Sequence, residues 1–289
     1  MAAGVELQIE PRVRRVGAGS VNRLLPFRTR RMVGPFIFAD LFGPEELAAG
    51  SASSVDAHPH IGLSTVTYLL AGRMVHRDST GAVAAVEPGA VNWMTAGSGV
   101  AHTERSHPDD VPTDRDVHGF QTWVALPDGD EDVAPSFQHA PAEAIPTLAV
   151  GASTVRVAVG TGWGVASPVA GSSPLILAEL RLDGDDVPIE VDHPERAVLA
   201  IGGSVSLNGY PLPEGHLAVL QPGYRSLVGG DGVAMILGGE PVGPRRIWWN
   251  FVHSDPERIE AAKAEWTEQR FPLVPGDHDP WIPLPALGG

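Results

Sequence analysis

Cysteine does not occur in this chain of 289 residues. Its absence excludes disulfides, thiol catalysis, thiolate metal sites and iron–sulfur clusters, so a bound metal must be held by histidine, aspartate or glutamate. The chain also lacks any run approaching the roughly 18–20 apolar residues that a membrane-spanning helix needs, and its first residues contain no apolar signal-peptide core. We therefore expect a cytoplasmic protein that makes no contact with a membrane.

Positive charge is scarce, because 20 lysines and arginines face 35 aspartates and glutamates, for a formal net charge of −15. Much of the positive charge is concentrated in residues 1–31, which hold seven arginines and two glutamates. The remainder of the chain is therefore strongly acidic, and such a surface repels nucleic acid. Direct binding of nucleic acid is not expected.

Glycine and proline are abundant, with 34 and 27 residues, which is more turn punctuation than a helical protein tolerates. Short apolar runs such as 65–70 end at turn residues and recur at the spacing of a sandwich or barrel. A proline-rich stretch at 126–147 separates two such β-rich blocks. The predicted class is all-β.

One helix is predicted near the C-terminus, from about Asp255 to Arg270. Ser254 and Glu257 match the S-x-x-E capping box, Pro256 falls in the first turn, and apolar residues follow at helical spacing. Five prolines between positions 272 and 285 then forbid regular structure. The tail is expected to be an extended arm or a mobile end.

Two short histidine patterns in the first block could together bind a metal ion. The segments His58-Pro59-His60 and His102-Thr103-Glu104 each place two side chains at i and i+2, on one face of an extended segment. On neighbouring strands they would form one set of ligands: His58, His60, His102 and Glu104. Without thiolates, this set suits Fe(II), Mn(II), Ni(II), Cu(II) or Zn(II). Four ligands on a six-coordinate ion leave two positions for substrate or dioxygen.

The remaining histidines are predicted to be ordinary solvated or hydrogen-bonded side chains. An isolated H-x-H pair occurs by chance on many strands, so the coupling of two pairs carries the metal hypothesis. The histidines interpreted as lacking a partner at i+2 are His76, His107, His118, His139, His253 and His278. In the second block, His193-Pro194-Glu195 has no following His-x-Glu pair, and a turn is predicted there instead of a metal site.

A longer series of motifs spans the two histidine patterns. It comprises His58-Pro59-His60-Ile61-Gly62, Thr65-Val66-Thr67-Tyr68-Leu69-Leu70, His76-Arg77-Asp78-Ser79, Asn92-Trp93-Met94-Thr95-Ala96-Gly97 and His102-Thr103-Glu104, with Gln121 and Trp123 downstream. This series closely resembles the signature of the pirin family, in the cupin superfamily. The second block is similar to the family in length and pattern, and Gly239-Glu240-Pro241 matches it well.

The resemblance implies a bicupin, in which two double-stranded β-helix barrels carry one mononuclear metal in the first barrel. The domains are then residues 1–135, a metal-binding cupin; 136–250, a cupin without metal; and 251–289, the helix and proline-rich arm. The metal ligands implied by the family are the set already derived from spacing. We favour Fe(II) as the metal, with Mn, Ni, Co, Cu or Zn as alternatives.

Two hypotheses for the function follow. The first is a quercetin 2,3-dioxygenase-like enzyme that cleaves a small aromatic substrate, a flavonol such as quercetin, with O₂ and releases carbon monoxide. Glu104 would then act both as a ligand and as the general base for the flavonol 3-hydroxyl. Trp93, Met94 and Phe38 are candidates to line an apolar pocket, with a core role as the alternative.

The second hypothesis is a metal- or redox-dependent regulatory protein that binds a protein partner without catalysis, which the resemblance also implies. A patch for that partner could come from the N-terminal arginines Arg12, Arg14, Arg15, Arg28, Arg30 and Arg31, whose ordinary alternative is to flank exposed strands. The two hypotheses share every predicted metal ligand. The sequence does not choose between them.

Overall fold

The structure is a computed structural model that describes residues 2–16, 19–190 and 192–286. It is built from short strands and one α-helix, which confirms the predicted all-β class. The strands are β1 Val5–Ile9, β2 Arg12–Val16, β3 Gly19–Leu25, β4 Phe36–Leu47, β5 Ser54–His60, β6 Leu63–Ala71, β7 Met74–Asp78, β8 Val83–Val86, β9 Val91–Thr95, β10 Val100–Ser106, β11 Arg115–Ala125, β12 Ser136–Ala140, β13 Thr147–Val150, β14 Ser153–Gly162, β15 Val165–Ala166, β16 Leu175–Asp183, β17 Val187–Ile189, β18 Glu195–Leu207, β19 Tyr210–Pro211, β20 Leu217–Leu220, β21 Ser226–Gly239, β22 Arg246–Trp248 and β23 Phe251–His253. The helix α1 is Pro256–Thr267, and Ala142–Ala144 form one 3₁₀ turn. Among the described residues, no helix is long and apolar enough to cross a membrane.

The chain divides into two compact units that are interleaved in sequence. One unit, here called the apolar unit, comprises residues 1–14, 21–41 and 140–241. The other, here called the histidine unit, comprises residues 15–20, 42–139 and 242–289. The three consecutive domains expected from the sequence stay a prediction.

The apolar unit is organised by an antiparallel sheet in the order β1-β20-β18-β21-β16-β14-β13. Alternate residues of its central strands point to one side, as a strand period of two requires. Those on the inner side form an apolar core that includes Val157, Ala178, Val198 and Ile236, each at most 1% exposed. The interior of this unit is therefore filled by aliphatic side chains.

The histidine unit contains a sheet in the order β5-β10-β7-β8 and a second run of strands in the order β12-β9-β6-β11-β4. In the first sheet β10 lies between β5 and β7, and both pairings are antiparallel. The two segments that carry the predicted metal ligands, on β5 and β10, are thus hydrogen-bonded neighbours. This pairing is the condition on which the metal prediction depended.

The helix begins one residue later than the capping box predicts. Asp255 is the N-cap, and its carboxylate accepts a hydrogen bond from the backbone N–H of Glu257. Ser254, the predicted cap, instead donates to the Glu131 carboxylate at 2.5 Å. Sequence spacing could not reveal this carboxylate, because it comes from a distant loop.

The proline-rich tail is an extended arm over its described part, one of the two predicted alternatives. Its residues run along β5, where Ile282 N–H donates to the Ala57 carbonyl at 2.8 Å and Ala57 N–H donates to the Pro280 carbonyl at 3.3 Å. Trp266 of the helix donates its indole N–H to the Ile282 carbonyl. The arm therefore satisfies backbone groups of the outermost strand of the β5-β10-β7-β8 sheet.

Candidate metal centre

Three adjacent strands bring pairs of polar side chains to one face of the β5-β10-β7-β8 sheet. Across β5 and β10, His102 stands opposite His58, and across β10 and β7 it stands opposite Asp78. Glu104 stands opposite His76. Directly opposed residues share a face of the sheet, so these side chains all point the same way.

The chain leaves this site through a turn that requires glycine. Gly62 has φ 67°, and a Cβ built there would lie 1.9 Å from the carbonyl oxygen of Val252. This close approach lets β5 turn into β6 immediately after His60. It also explains why the segment His58-Pro59-His60-Ile61 is followed by glycine.

The imidazoles of His58, His60 and His102 converge on one point. One ring nitrogen of each lies within 4.8 Å of those of the other two, and all three side chains are buried. The ring centroids are 4.2 Å apart for His58 and His102, and 5.1 Å apart for each of the other two pairs. Three nitrogens at this separation can bind one ion.

Hydrogen bonds fix which nitrogens of His58 and His60 are free to bind an ion. His58 Nδ1 lies 2.8 Å from the carbonyl oxygen of Asp56, and His60 Nδ1 lies 3.0 Å from that of Asn250. A carbonyl only accepts, so each Nδ1 carries the hydrogen and each Nε2 keeps its lone pair. This is the form that coordinates a metal.

Burial also keeps the rings neutral. It lowers the pKa of His60 and His102 well below the usual histidine value, and the nearby His58 lowers both further. Burial also lowers the pKa of His58, against the opposing charge of Glu104. A neutral imidazole is required for metal binding, so the environment favours the coordinating state.

His102 Nε2 provides the most direct test of whether a metal fits. This nitrogen is buried, and among the described residues it has no hydrogen-bond partner. An unpaired buried polar atom is costly unless something unseen satisfies it. A metal ion at the convergence of the three rings would do so, and the residues therefore fit a mononuclear metal.

Glu104 lies outside this group of three. Its Oε1 accepts a hydrogen bond from Gln121 Nε2 at 2.6 Å and from Thr67 Oγ1 at 3.3 Å. Both bonds fall on one oxygen, which leaves Oε2 as the carboxylate atom that can face an ion. The assignment of Glu104 as the fourth ligand stays a prediction.

Sequence reasoning missed the role of His76. It has a partner at i+2 after all, because its Nε2 lies 3.1 Å from Asp78 Oδ2, and its Nδ1 lies 3.3 Å from His102 Nδ1. The ring is buried and stacks on Phe137 at 4.6 Å. The signal was present in the sequence, since His76-Arg77-Asp78 has the same i, i+2 spacing as the two ligand pairs.

Asp78 is held as a carboxylate. Burial would raise its pKa, but hydrogen bonds from His76 and Thr80 outweigh burial and lower it. Its Oδ1 accepts from Thr80 N–H, Thr80 Oγ1 and Ala82 N–H at 2.8, 2.6 and 3.2 Å. Only Oδ2 is left for His76.

The side chains beside the ligands come from one face of β6, β9 and β11. Thr67 Oγ1 donates a hydrogen bond to Glu104. Thr65 lies on the same face of β6 as Thr67 and is paired with Met94 on β9 and with Trp123 on β11. Trp123 lies with its ring 5.1 Å from that of His60. Met94 therefore lies on the face of this sheet that carries Thr67 and Trp123.

The other two residues proposed to line a pocket, Trp93 and Phe38, make contacts with other side chains. Trp93 is paired with Val66, on the opposite face of β6 from Thr65, and donates its indole N–H to Thr95. Phe38 belongs to the apolar unit, where Arg23 lies 4.3 Å from its ring centroid. Trp93 and Phe38 therefore have packing contacts of their own.

Several remaining histidines have the hydrogen-bonded role expected of them. His139 is bonded to Asn92, His253 to Asp132, and His278 to the backbone N–H of Val274. In the apolar unit, His193 Nε2 bonds to the Thr161 carbonyl, while Glu195 accepts from the backbone N–H of Gly34. These residues have partners within the protein.

Comparison with known proteins gives two matches to family models and several close relatives. The model described as Pirin matches residues 18–124, and that of the Pirin C-terminal cupin domain matches residues 178–272. A pirin-like protein of Caulobacter vibrioides is 43% identical over 97% of this chain and 99% of its own. A protein of Pseudomonas aeruginosa named "putative quercetin 2,3-dioxygenase" is 37% identical over 97% of this chain and 90% of its own.

A solved structure extends the similarity to the whole fold. The crystal structure of quercetin 2,3-dioxygenase from Acinetobacter baumannii superposes with a TM-score of 0.89 at 31% identity, over 97% of this chain and 95% of that one. The expected bicupin fold, with two cupin domains, is thereby confirmed. With both family models matched and relatives aligned along nearly its full length, this chain is a member of the pirin family.

Proposed function

We propose that this protein is a metal-dependent dioxygenase that cleaves flavonols such as quercetin. The overall reaction joins one flavonol and one O₂ and gives a ring-opened ester and one molecule of carbon monoxide, so that all atoms are accounted for. Fe(II) is the metal we propose. His58, His60 and His102 would hold it through Nε2, with Glu104 as the fourth ligand.

One observation carries the proposal: three buried, neutral imidazoles converge beside a carboxylate whose second oxygen is free of the hydrogen bonds that fix the first. A metal bound there would supply open coordination positions at which substrate and O₂ can meet. The names of the relatives from Pseudomonas aeruginosa and Acinetobacter baumannii support flavonol as the substrate class.

Glu104 is the residue that can remove the proton of the flavonol 3-hydroxyl. Gln121 Nε2 and Thr67 Oγ1 donate to Oε1, and these two hydrogen bonds hold the carboxylate in place. Oε2 would receive the proton, and if Glu104 also bound the metal, that bond would have to loosen first. Trp123 and Met94 would provide the apolar surface for a flat aromatic ring.

The first prediction concerns this base. Glu104→Gln keeps the size of the side chain, but an amide does not accept a proton near neutral pH. Because Gln121 and Thr67 both donate to the Oε1 position, the amide oxygen would take that position, and the three histidines alone would hold the metal. After anaerobic loading with Fe(II) and addition of quercetin and O₂, we expect the variant to retain metal and to release carbon monoxide about 10²-fold more slowly than the parent. A higher pH, which deprotonates the substrate in advance, should restore part of the rate.

Two results would count against the proposal in different ways. Undiminished turnover by the metal-loaded Gln variant at neutral pH would exclude Glu104 as the base. If the metal-loaded parent released no carbon monoxide from several flavonols, the proposed dioxygenase activity would be excluded and the regulatory alternative favoured.

The structure weakens the arginine patch on which that alternative relied, because Arg12 donates to the carbonyls of Leu24 and Pro26 and Arg30 pairs with Glu6 and Glu195.

A further inference from the structure

His102 is oriented differently from the other two candidate ligands. The Nδ1 atoms of His58 and His60 each face a backbone carbonyl, which can only accept a hydrogen bond. His102 Nδ1 instead faces another imidazole nitrogen, His76 Nδ1, at 3.3 Å. Either ring could carry the shared hydrogen, so this contact alone does not determine which nitrogen of His102 is free.

Asp78 removes the ambiguity. Its Oδ1 is occupied by three donors, from Thr80 and Ala82, and its Oδ2 lies 3.1 Å from His76 Nε2. A carboxylate accepts, so a hydrogen lies on His76 Nε2, and a His76 ring that carries a single hydrogen has its lone pair on Nδ1. His102 Nδ1 must then donate, and His102 Nε2 is left with the lone pair that a metal requires.

We propose that Asp78 and His76 form a relay that sets the tautomer of His102 and thereby positions its Nε2 to bind the metal. The order is Asp78 Oδ2, His76 Nε2–H, His76 Nδ1, His102 Nδ1–H and His102 Nε2. Both relay members are positioning residues, since they act on the metal only through His102. The ring of His76 also stacks on Phe137, with the two rings 17° from parallel, and this contact restricts the orientation of the middle ring of the relay.

The proposal makes a sharp prediction for Asp78→Asn. Because three donors already point at the Oδ1 position, the amide oxygen of the new side chain would occupy that position and its NH₂ would face His76 Nε2. His76 would then carry its hydrogen on Nδ1 and donate to His102, which would move the hydrogen of His102 to Nε2. One substitution therefore inverts the relay and places a hydrogen where the metal should bind.

A second substitution should repair the first. In His76→Asn the amide oxygen lies near the former Nδ1 position, so it can accept from His102 Nδ1–H without help from Asp78. Metal binding by the double variant His76→Asn with Asp78→Asn should therefore stay close to that of the parent. A purely structural role for Asp78 would not produce this recovery.

The experiment is a titration with Ni(II) alone, in competition with a chromophoric chelator, on the full chain. We expect Asp78→Asn to bind Ni(II) about 10–100-fold more weakly than the parent, and the double variant to return to within a few-fold of the parent. Arg77→Gln is the control, because Arg77 lies between the two relay residues on β7 but is paired with Thr103, on the other face. It should leave the affinity within about twofold.

Selective ¹⁵N labelling of histidine gives a readout that needs no metal. In the parent without metal, His102 should show a protonated Nδ1 and an unprotonated Nε2, and Asp78→Asn should exchange the two. The relay is overturned if His102 has the other tautomer in the parent, or if Asp78→Asn weakens Ni(II) binding equally with and without His76→Asn.

This inference rests on the metal site of the proposed function but not on its chemistry. Failure of the parent to bind Ni(II) would contradict the metal site itself, whereas normal Ni(II) binding by Asp78→Asn would contradict only the relay. An absence of flavonol cleavage would leave both measurements interpretable. The outcomes of the two proposals are thus distinguishable.

Discussion

Among the single residues of the site, the three histidines share one property: burial lowers the pKa of each imidazole, so each is a weaker base than an exposed histidine. Each ring is buried among other rings, which disfavours the charged imidazolium and lowers the pKa of His60 and His102 most strongly. Their Nδ1 hydrogens are committed to acceptors, so the only remaining lone pairs point inward. The same burial that would be costly for an isolated polar atom is compensated when an ion occupies the centre.

The second prediction separates the two histidine patterns of the chain. His58→Ala, His60→Ala and His102→Ala should each abolish binding of about one divalent metal per chain, because each removes a strong ligand bond and opens the site to water. His193→Ala is the matched control, since His193 is also buried but bonds to the Thr161 carbonyl. Metal content after purification and loading, measured by elemental analysis, decides the matter; full occupancy in the first three variants would refute the assignment.

The convergence of His58, His60 and His102 could be predicted from sequence because strand geometry makes i and i+2 neighbours on one face. The contacts of Glu104 could not, because Gln121 and Thr67 approach it from β11 and β6, and no local pattern encodes that approach. His76 was overlooked for a different reason. His76 and Asp78 have the same i, i+2 spacing, but the sequence does not show that β7 pairs with β10 and brings His76 against His102.

At the scale of elements, the C-terminal arm braces the strands that carry the ligands. Asp277 accepts hydrogen bonds from Thr103 Oγ1 at 2.8 Å and Arg105 Nη2 at 2.9 Å, both on β10. The hydrogen bonds of Ile282 and Ala57 tie the arm to β5. A single tail segment thus contacts the outer sides of both ligand-bearing strands, through residues adjacent in sequence to His58 and His102.

The third prediction tests this brace. Asp277→Ala removes charge-assisted hydrogen bonds to Arg105 and should lower the free energy of unfolding by about 1–3 kcal/mol. The hydrogen bonds from Arg105 and Thr103 outweigh burial and lower the pKa of Asp277, so its contribution is present above the unfolded carboxyl pKa and is lost as the pH falls through the lower folded value. Urea unfolding at pH 7 and in strong acid measures both effects. An equal difference between parent and variant at the two pH values would contradict the ionic origin.

A matched control for this contact is Asp279→Ala, at an exposed residue two positions further along the same arm. No ion pair or hydrogen bond from its side chain is found among the described residues, and the change should alter the free energy of unfolding by no more than about 0.5 kcal/mol.

The existence of the arm could be inferred from its prolines, which exclude helix and sheet interior. Its docking could not, because the contacts depend on Ala57 and Arg105, far away in sequence.

In the whole molecule, each of the two compact units is built from three separate segments, and the segments of the two units alternate along the chain. The amino-acid sequence does not indicate this alternation. Composition predicts a linker at 126–147, and the chain passes from one unit to the other at residue 140, within that stretch; residues 15–20 and 242–289 belong with 42–139. The strand β4 is one continuous run of twelve residues, of which 36–41 belong to the apolar unit and 42–47 to the histidine unit. Periodicity identifies such a strand but carries no information about where a compact unit ends.

The last prediction is that the two units unfold together on heating and that Ni(II) raises the midpoint of both. At free Ni(II) of about 100 Kd, binding adds about 2.7 kcal/mol to the folded state, which corresponds to a rise in Tm of roughly 5–10 °C for a protein of this size. Trp163 is the only tryptophan of the apolar unit, so in Trp163→Phe the tryptophan fluorescence follows the histidine unit alone. Circular dichroism follows both units. Because β4 runs without a break through both units, we expect the two signals to share one midpoint and to move together when Ni(II) is added. Two separate midpoints, with only the fluorescence transition moved by Ni(II), would show that the units unfold independently in spite of the shared strand.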